Sequence, residues 1–295
     1  VTSKITLFVN PTAGRGRGAR AAQPAASALR AAGFSVRTVL GEDAADALVR
    51  ARAAVEAGTD ALIAVGGDGM AGLALRAVAG TRTPLGLVAV GTGNDFARAL
   101  GLPVREPAAA GRMIADALTC GRIRDIDLGQ VGDRWFGTVL ASGFDSRVND
   151  RGNRMRWPAG RLTYDVAMIG ELAGFRPVPY RIRLDDELLE VEATLVAVGN
   201  GSSYGGGMRI CPGADLTDGL FDVTVVGDCS RATLLRMFPR VYRGTHVDHP
   251  KVTVLRAARV EIAAEGVTGY ADGEPLGPLP LSARCVRGGV RVVGP

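Results

Sequence analysis

The stretch "ALIAVGGDGMAGLALRAVA", Ala61 to Ala79, decides how the chain is read. Ala61–Val65 is an unbroken apolar run of strand length, Met70–Ala79 carries alanine and leucine at helical spacing, and Gly-Gly-Asp-Gly stands between them. A strand apolar on both faces belongs in a parallel sheet covered by helices, so the stretch predicts one step of a βαβ unit. The step repeats to either side. Strands are predicted at Ile5–Val9, Ser35–Leu40 and Leu85–Val90, and helices at Pro24–Ala32, Ala44–Ala57, Asp95–Leu100 and Pro107–Cys120, with Pro24 in the first turn of its helix.

From about Ile123 the pattern changes to alternating or β-branched runs separated by Gly, Asp and Pro. These are "WFGTVLASG" (Trp135–Gly143), "YRIRLDD" (Tyr180–Asp186), "LEVEATLVAVGN" (Leu189–Asn200), "LFDVTVVGD" (Leu220–Asp228), "KVTVL" (Lys251–Leu255), "RVEIAAE" (Arg259–Glu265) and "GVRVVGP" (Gly289–Pro295). They predict a mostly antiparallel β domain interrupted by helices near Gly160–Ala173 and Arg231–Tyr242. No internal repeat of fixed period is present.

A chain of 295 residues, 47% hydrophobic, suits two globular domains. The net charge of +5 fits nucleotide phosphates, nucleic acid or an anionic membrane surface without choosing among them. The four cysteines have no C-x-x-C spacing, which argues against a zinc site or a redox dithiol and for reduced cytosolic thiols. Neither the "VTSKITLFVNP" start nor any later run has the apolar length of a signal peptide core or a bilayer span, so a soluble or peripheral protein is expected. Neither a nucleic-acid-binding fold nor an aromatic stacking platform is evident.

Three polar glycine turns follow predicted strands. "NPTAGRGRG", Asn10 to Gly18, lacks the spacing of a Walker A loop, but its backbone N–H groups and arginines suit a nucleotide phosphate. "GGDG", Gly66 to Gly69, offers close backbone approach and one carboxylate, and "VGTGNDFARAL", Val90 to Leu100, adds Thr92, Asn94 and Asp95. Any one of them reads equally as an ordinary turn. All three fall at the carboxyl edge of one predicted sheet, which is where open α/β sheets bind ligands.

With "DIDLG" (Asp125–Gly129), "PGADLTDGLFD" (Pro212–Asp222) and "DGE" (Asp272–Glu274), these turns occur in the order found in the diacylglycerol kinase catalytic-domain family, which the chain resembles over nearly its whole length. The resemblance implies a Rossmann-like nucleotide-binding α/β domain over residues 1–124, rejoined by 286–295, and a β-sandwich domain over 125–285, with the active site in a cleft between them. It implies ATP as cosubstrate and Mg²⁺ as cofactor. Asn10, Pro11, Thr12, Ala13 and Gly14, with Gly66, Gly67, Asp68, Gly69, Thr92 and Asn94, would surround the nucleotide, and Arg15 or Arg20 would be cationic partners. Asp68, Asp95 and Asp127 resemble the aspartates that organise a Mg²⁺–water network at the phosphates. Glu274 resembles the proton acceptor for the lipid hydroxyl, with Asp272 as its rival. Asp215, Asp218 and Leu220 resemble a second, structural metal site, which a hard cation would favour.

The chain departs from the family after "GGDG", where Met70, Ala71, Gly72 and Leu73 replace the usual Thr, aliphatic residue, Asn and Glu. Gly41 or Leu40 stands near where many members carry threonine. "RVNDRGNRMRWPAGR", Arg147 to Arg161, mixes arginines with Met155 and Trp157 and reads either as a bilayer-facing segment or as a solvated loop. His246 and His249 read as a loop with no assigned chemistry. The expected function is ATP- and Mg²⁺-dependent phosphorylation of a lipid hydroxyl in phospholipid biosynthesis, with diacylglycerol to phosphatidic acid as the leading reaction, by a cytoplasmic protein peripheral to the inner membrane. A homodimer through exposed strand edges is compatible with the sequence. The alternatives are NAD kinase, whose family shares Gly-Gly-Asp-Gly, and a regulatory lipid- or nucleotide-binding protein without catalysis.

Overall fold

A computed structural model of the chain describes residues 3–9, 17–143 and 176–295. It divides into two units, Val1–Leu128 with Arg287–Pro295, and Gly129–Val286.

In the first unit β1 (Lys4–Val9), β2 (Ser35–Leu40), β3 (Ala61–Gly66) and β4 (Leu85–Ala89) lie side by side in the order β2-β1-β3-β4, all parallel. Every residue of β3 is buried, as its unbroken apolar run requires. The connecting helices are α1 (Arg17–Ala31), α2 (Ala44–Glu56), α3 (Asp68–Val78), α4 (Asp95–Ala99) and α5 (Pro107–Thr119). Register fixes the functional edge. Val9 lies beside Val65, and Gly66 beside Ala89, so β1, β3 and β4 end level with one another at the carboxyl edge of the sheet.

One boundary differs from expectation. Helix α1 starts at Arg17, and Pro24 lies inside it rather than in its first turn. A proline within a helix removes one hydrogen bond and costs about 3 kcal/mol. The alanine-rich sequence on both sides has high helix propensity, and Ala21, Ala25, Ala26 and Leu29 bury a continuous face in the core with Ile5, Leu7, Ile63 and Ile114. Burial of that face offsets the proline.

The second unit is mainly antiparallel. Its strands are the end of β5 (Ile123–Val131), β6 (Arg134–Phe136), β7 (Val139–Gly143), β8 (Val178–Leu184), β9 (Glu187–Gly199), β10 (Phe221–Gly227), β11 (Val252–Ala257), β12 (Arg259–Ala263), β13 (Thr268–Ala271), β14 (Glu274–Pro278) and the start of β15 (Leu281–Val293). The single helix α6 (Arg231–Arg243) and a 3₁₀ turn (Thr245–Asp248) complete its described part. β9 organises this unit: its first half pairs with β8, and its second half lies between β7 and β10. Alternation along β9 then feeds two cores, Val196 and Val198 packing with Tyr180, Phe221 and Ile262, and Leu195 and Ala197 with Ile210, Cys211 and Met237. This is a β-sandwich-like arrangement.

The strand expected as one piece over residues 135–143 is two, β6 and β7, broken at Gly137-Thr138. The strand expected from Gly289 begins at Leu281: Leu281–Arg284 pair with β12, and Val292 pairs with Leu85 of β4. The helix expected near Gly160–Ala173 and the segment Arg147–Arg161 lie outside the described residues.

Candidate active site

Asp68 opens helix α3, yet its carboxylate serves a different segment. One oxygen accepts the N–H of Asn94 at 2.6 Å and the other that of Asp95 at 2.7 Å. These are first-turn N–H groups of α4, which have no partner inside that helix, so Asp68 caps α4 across the sheet edge. The two loops also touch through their backbones. A Cβ on Gly91 would stand 2.4 Å from the Cα of Gly67, closer than any side chain can tolerate, so Gly91 requires glycine, while a Cβ on Gly67 would lie 3.0 Å from the Gly91 Cα, a tight contact. Gly69 differs: it is exposed, and a Cβ there would meet nothing within 4 Å. The carboxylate among three glycines thus fastens the second loop to the third, while Gly69 leaves the start of α3 bare.

The third loop is held from within. Asn94 adopts the left-handed conformation at φ 57° and is buried; its Oδ1 accepts the Gly91 N–H at 2.8 Å, and its Nδ2 donates to the Gly91 carbonyl at 2.9 Å. Arg98 donates to the carbonyl of Gly93 at 3.0 Å, and Arg105, itself at φ 63°, donates to that of Thr92 at 2.8 Å and of Gly91 at 3.3 Å. Two guanidinium groups therefore tie down the loop carbonyls while Thr92 stays exposed. Arg98 lies within the quoted "GTGNDFARAL" motif; nothing in the sequence singles out Arg105.

Asp95 and Asp127 are almost fully buried, at 5% and 3% exposure. Asp127, on β5, accepts the N–H of Gly288 at 2.8 Å. Among the described residues no three His, Cys, Asp or Glu side chains are grouped to hold a metal ion directly. Arg20 is exposed on α1. Asn10, Pro11, Thr12, Ala13, Gly14 and Arg15 lie outside the described residues.

In the second unit the "DGE" turn separates its two carboxylates by role. Asp272, at φ 50°, accepts the N–H groups of Gly137 and Thr138 at 2.7 and 2.9 Å and also the Thr138 hydroxyl. Asn200 grips the same turn, donating its side-chain amide to the Gly137 carbonyl at 2.9 Å and its backbone N–H to that of Thr138 at 2.8 Å. These bonds satisfy the groups freed where the strand breaks between β6 and β7, which is the physical reason for the break. Glu274, two residues on, is exposed and opens β14, where it pairs with Ala271.

The loop Pro212–Asp222 turns on its own carboxylates. Asp215 accepts the N–H and hydroxyl of Thr217, and Asp218 accepts the N–H of Leu220 at 2.9 Å. Arg256, from β11, then binds Asp218 through one guanidinium nitrogen and the buried Asp222 through another at 3.1 Å. Burial pushes the Asp222 carboxyl up, and Arg256 opposes it. A guanidinium thus fills the cation position beside Asp218, which fits poorly with a metal ion held by Asp215, Asp218 and Leu220. His246 is not a loop residue but is wholly buried in the 3₁₀ turn, its Nε2 3.0 Å from the Ile210 carbonyl and its Nδ1 without a partner among the described residues.

Comparison with known proteins gives two family matches, a "Diacylglycerol kinase catalytic domain" over residues 4–131 and a "YegS C-terminal NAD kinase beta sandwich-like domain" over residues 138–294. A diacylglycerol kinase of Mycobacterium tuberculosis is 45% identical over 99% of this chain and 95% of its own length. One from Bacillus subtilis is 31% identical over 94% and 91%. A crystal structure of a diacylglycerol kinase from Bacillus anthracis str. Sterne superposes with a TM-score of 0.77 over 99% of this chain and 97% of that one; at 23% identity this shows the shared fold.

Proposed function

Because this chain belongs to the diacylglycerol kinase family and is a kinase, we propose that it transfers the γ-phosphoryl group of ATP, with Mg²⁺, to the hydroxyl of diacylglycerol, forming phosphatidic acid for phospholipid biosynthesis. One observation carries the nucleotide half of this reading. Asp68 locks the loop after β3 to the loop after β4, while Gly69 stays uncovered in the first turn of α3, where N–H groups have no partner within the helix. A helix start of this kind, with glycine in place of a side chain, suits phosphate oxygens. The exposed Thr92 hydroxyl and Gly66, Gly67 and Asn94 behind it would frame the same ligand, with Arg20 and the segment Asn10–Arg15 as further contacts.

Mg²⁺ would supply charge neutralisation at the phosphates. Asp68 has both oxygens committed to N–H groups and suits a positioning role. The other carboxylates of this unit with the right chemistry are Asp95 and Asp127, hard oxygen donors that would act through water.

For the acceptor half, Glu274 is the preferred base. The lipid hydroxyl oxygen bonds to the γ-phosphorus, the bond to the β-bridging oxygen breaks to release ADP, and the hydroxyl proton passes to the Glu274 carboxylate. Asp272 is the weaker candidate because the Gly137-Thr138 turn occupies both its oxygens. The lipid would be met at the cytoplasmic face of the inner membrane; no helix among the described residues is long and apolar enough to cross one.

The test is transfer of label from γ-labelled ATP into mixed micelles of diacylglycerol and anionic lipid, with NAD as a parallel acceptor. Labelled phosphatidic acid that Glu274→Gln abolishes is the expected result. Label in NADP, or in neither product, refutes the proposal.

A further inference from the structure

Glu274 stands on a strand that its own ladder holds weakly. β14 is the outermost of the neighbouring strands β9, β7, β13 and β14, and among the described residues it pairs only with β13. Pro275, next to Glu274, has no N–H to give to that ladder, and the register shifts between Gly269 and Tyr270. An edge strand that starts this way frays unless its turn is held from outside the ladder.

The hold comes from the ends of the three strands behind it. Asn200 follows β9, Thr138 precedes β7 and Asp272 follows β13, and the pairings Gly199–Val139, Leu140–Ala271 and Ala271–Glu274 put all of them at one end of the sheet. The Gly137-Thr138 turn is gripped from both sides. Asn200 donates to the Gly137 and Thr138 carbonyls, and the Gly201 N–H joins it on the Thr138 carbonyl at 2.8 Å. Asp272 accepts both N–H groups of the turn and the Thr138 hydroxyl, while its own N–H goes to the Val139 carbonyl at 3.2 Å. Asp272 and Gly273, at φ 50° and 83°, are then the two central residues of the hairpin turn that delivers Glu274 to the start of β14. Thr138 and Asn200 are buried and Glu274 is exposed, so the fixed end of this row lies inside and the carboxylate at its open end.

We infer that Thr138 and Asn200 are positioning residues for the base Glu274, acting through the Asp272 carboxylate. A proton acceptor has to lie within about 2.6–3.2 Å of the hydroxyl oxygen that it serves. Loss of one bond behind Asp272 lets the hairpin turn swing, which takes Glu274 out of that range with its own chemistry unchanged. The inference rests on the lipid-kinase reading with Glu274 as base.

The experiment is a double-mutant cycle on the full chain. It is read as single-turnover transfer from γ-labelled ATP to diacylglycerol in mixed micelles, with enzyme in excess so that the residual rate of Glu274→Gln is measured. Thr138→Val removes only the hydroxyl and should slow transfer by about ten- to a hundredfold with the ATP dependence unchanged. Thr138→Ser, which keeps the hydroxyl, should restore the rate. In the Glu274→Gln background Thr138→Val should change the rate by no more than about twofold, because the group that it positions is gone. Asn200→Ala should follow Thr138→Val in both backgrounds. An equal loss in both backgrounds is the mark of a general structural role and overturns the inference, as does wild-type transfer by Thr138→Val. Glu274→Gln at the wild-type rate overturns the choice of base instead, and transfer to no lipid by the wild type overturns the kinase reading.

Discussion

Gly69→Ala separates the two reasons for which glycine is used in this site. At Gly69 the new methyl meets nothing within 4 Å and sits in the first turn of α3. Replacing helical glycine by alanine stabilises by about 0.5–1 kcal/mol, with the lower value suited to a first turn. For a unit of this size that raises Tm by about 1–2 °C. If phosphate oxygens lie against the Gly69 backbone, the same methyl holds them off and removes a hydrogen bond to a charged group, about 1.5–3 kcal/mol, or roughly ten- to a hundredfold in KM for ATP. The variant should therefore melt higher without nucleotide and gain less from ATP. Gly91→Ala is the counterpart: its Cβ would lie 2.4 Å from the Gly67 Cα and 2.9 Å from Asn94 Oδ1, so about 1–3 kcal/mol of overpacking should lower Tm with or without ATP. Differential scanning fluorimetry and initial-rate kinetics read both effects. A Gly69→Ala enzyme with raised Tm and unchanged KM for ATP would refute phosphate binding at that turn.

Asp272→Ala should destabilise the second unit by about 3 kcal/mol, since the Gly137 and Thr138 N–H groups lose a charged acceptor; urea titration measures this, and Glu274→Gln should leave the midpoint unmoved while kcat falls by about 10²–10⁴. Arg256→Met leaves the buried Asp222 without its cation and should cost about 1–2 kcal/mol, discounted because Arg256 is 49% exposed. Wild-type Tm should not respond to Mg²⁺ in the absence of nucleotide, and a clear rise would restore a metal beside Asp218. Burial holds the His246 imidazole below its ordinary range, so the unfolded chain takes up the proton first and stability falls as pH drops below about 6.5. His246→Gln should flatten that fall in urea midpoints between pH 7.5 and 5.5, while the Ile210 carbonyl keeps the Thr224 hydroxyl at 2.9 Å.

The parallel sheet was legible because its strands are short apolar runs bounded by glycine, with bounds that hold to a residue at Ser35–Leu40. The start of helix α1 is not legible in the sequence, because Pro24 locally favours a first turn, whereas the buried alanine face decides the outcome. The conjunction of glycine turns also pointed to one sheet edge, which the register of β1, β3 and β4 reproduces. What a sequence does not carry is which oxygen each carboxylate satisfies. Asp68 and Asp272 both read as chemical groups, and both spend their oxygens on the backbone of a distant segment. Arg105 and Arg256 reach their partners only through tertiary structure, and no spacing announces them.

The pairing of Val292 with Leu85 has a consequence for biosynthesis. Ala89, at the end of β4, is bridged by the nearby Val104, but the outer side of β4 at Leu85 waits for a partner encoded about two hundred residues later, so at about 5–20 residues per second a ribosome needs roughly 10–40 s to deliver it. During that interval the start of β4 in the nascent first unit presents an apolar edge with unpaired N–H and C=O groups, the kind of surface that recruits other chains. Holding chaperones should therefore engage this chain between the emergence of β4 and that of β15, and a version in which residues 287–295 are moved ahead of β1 by circular permutation should shorten the engagement.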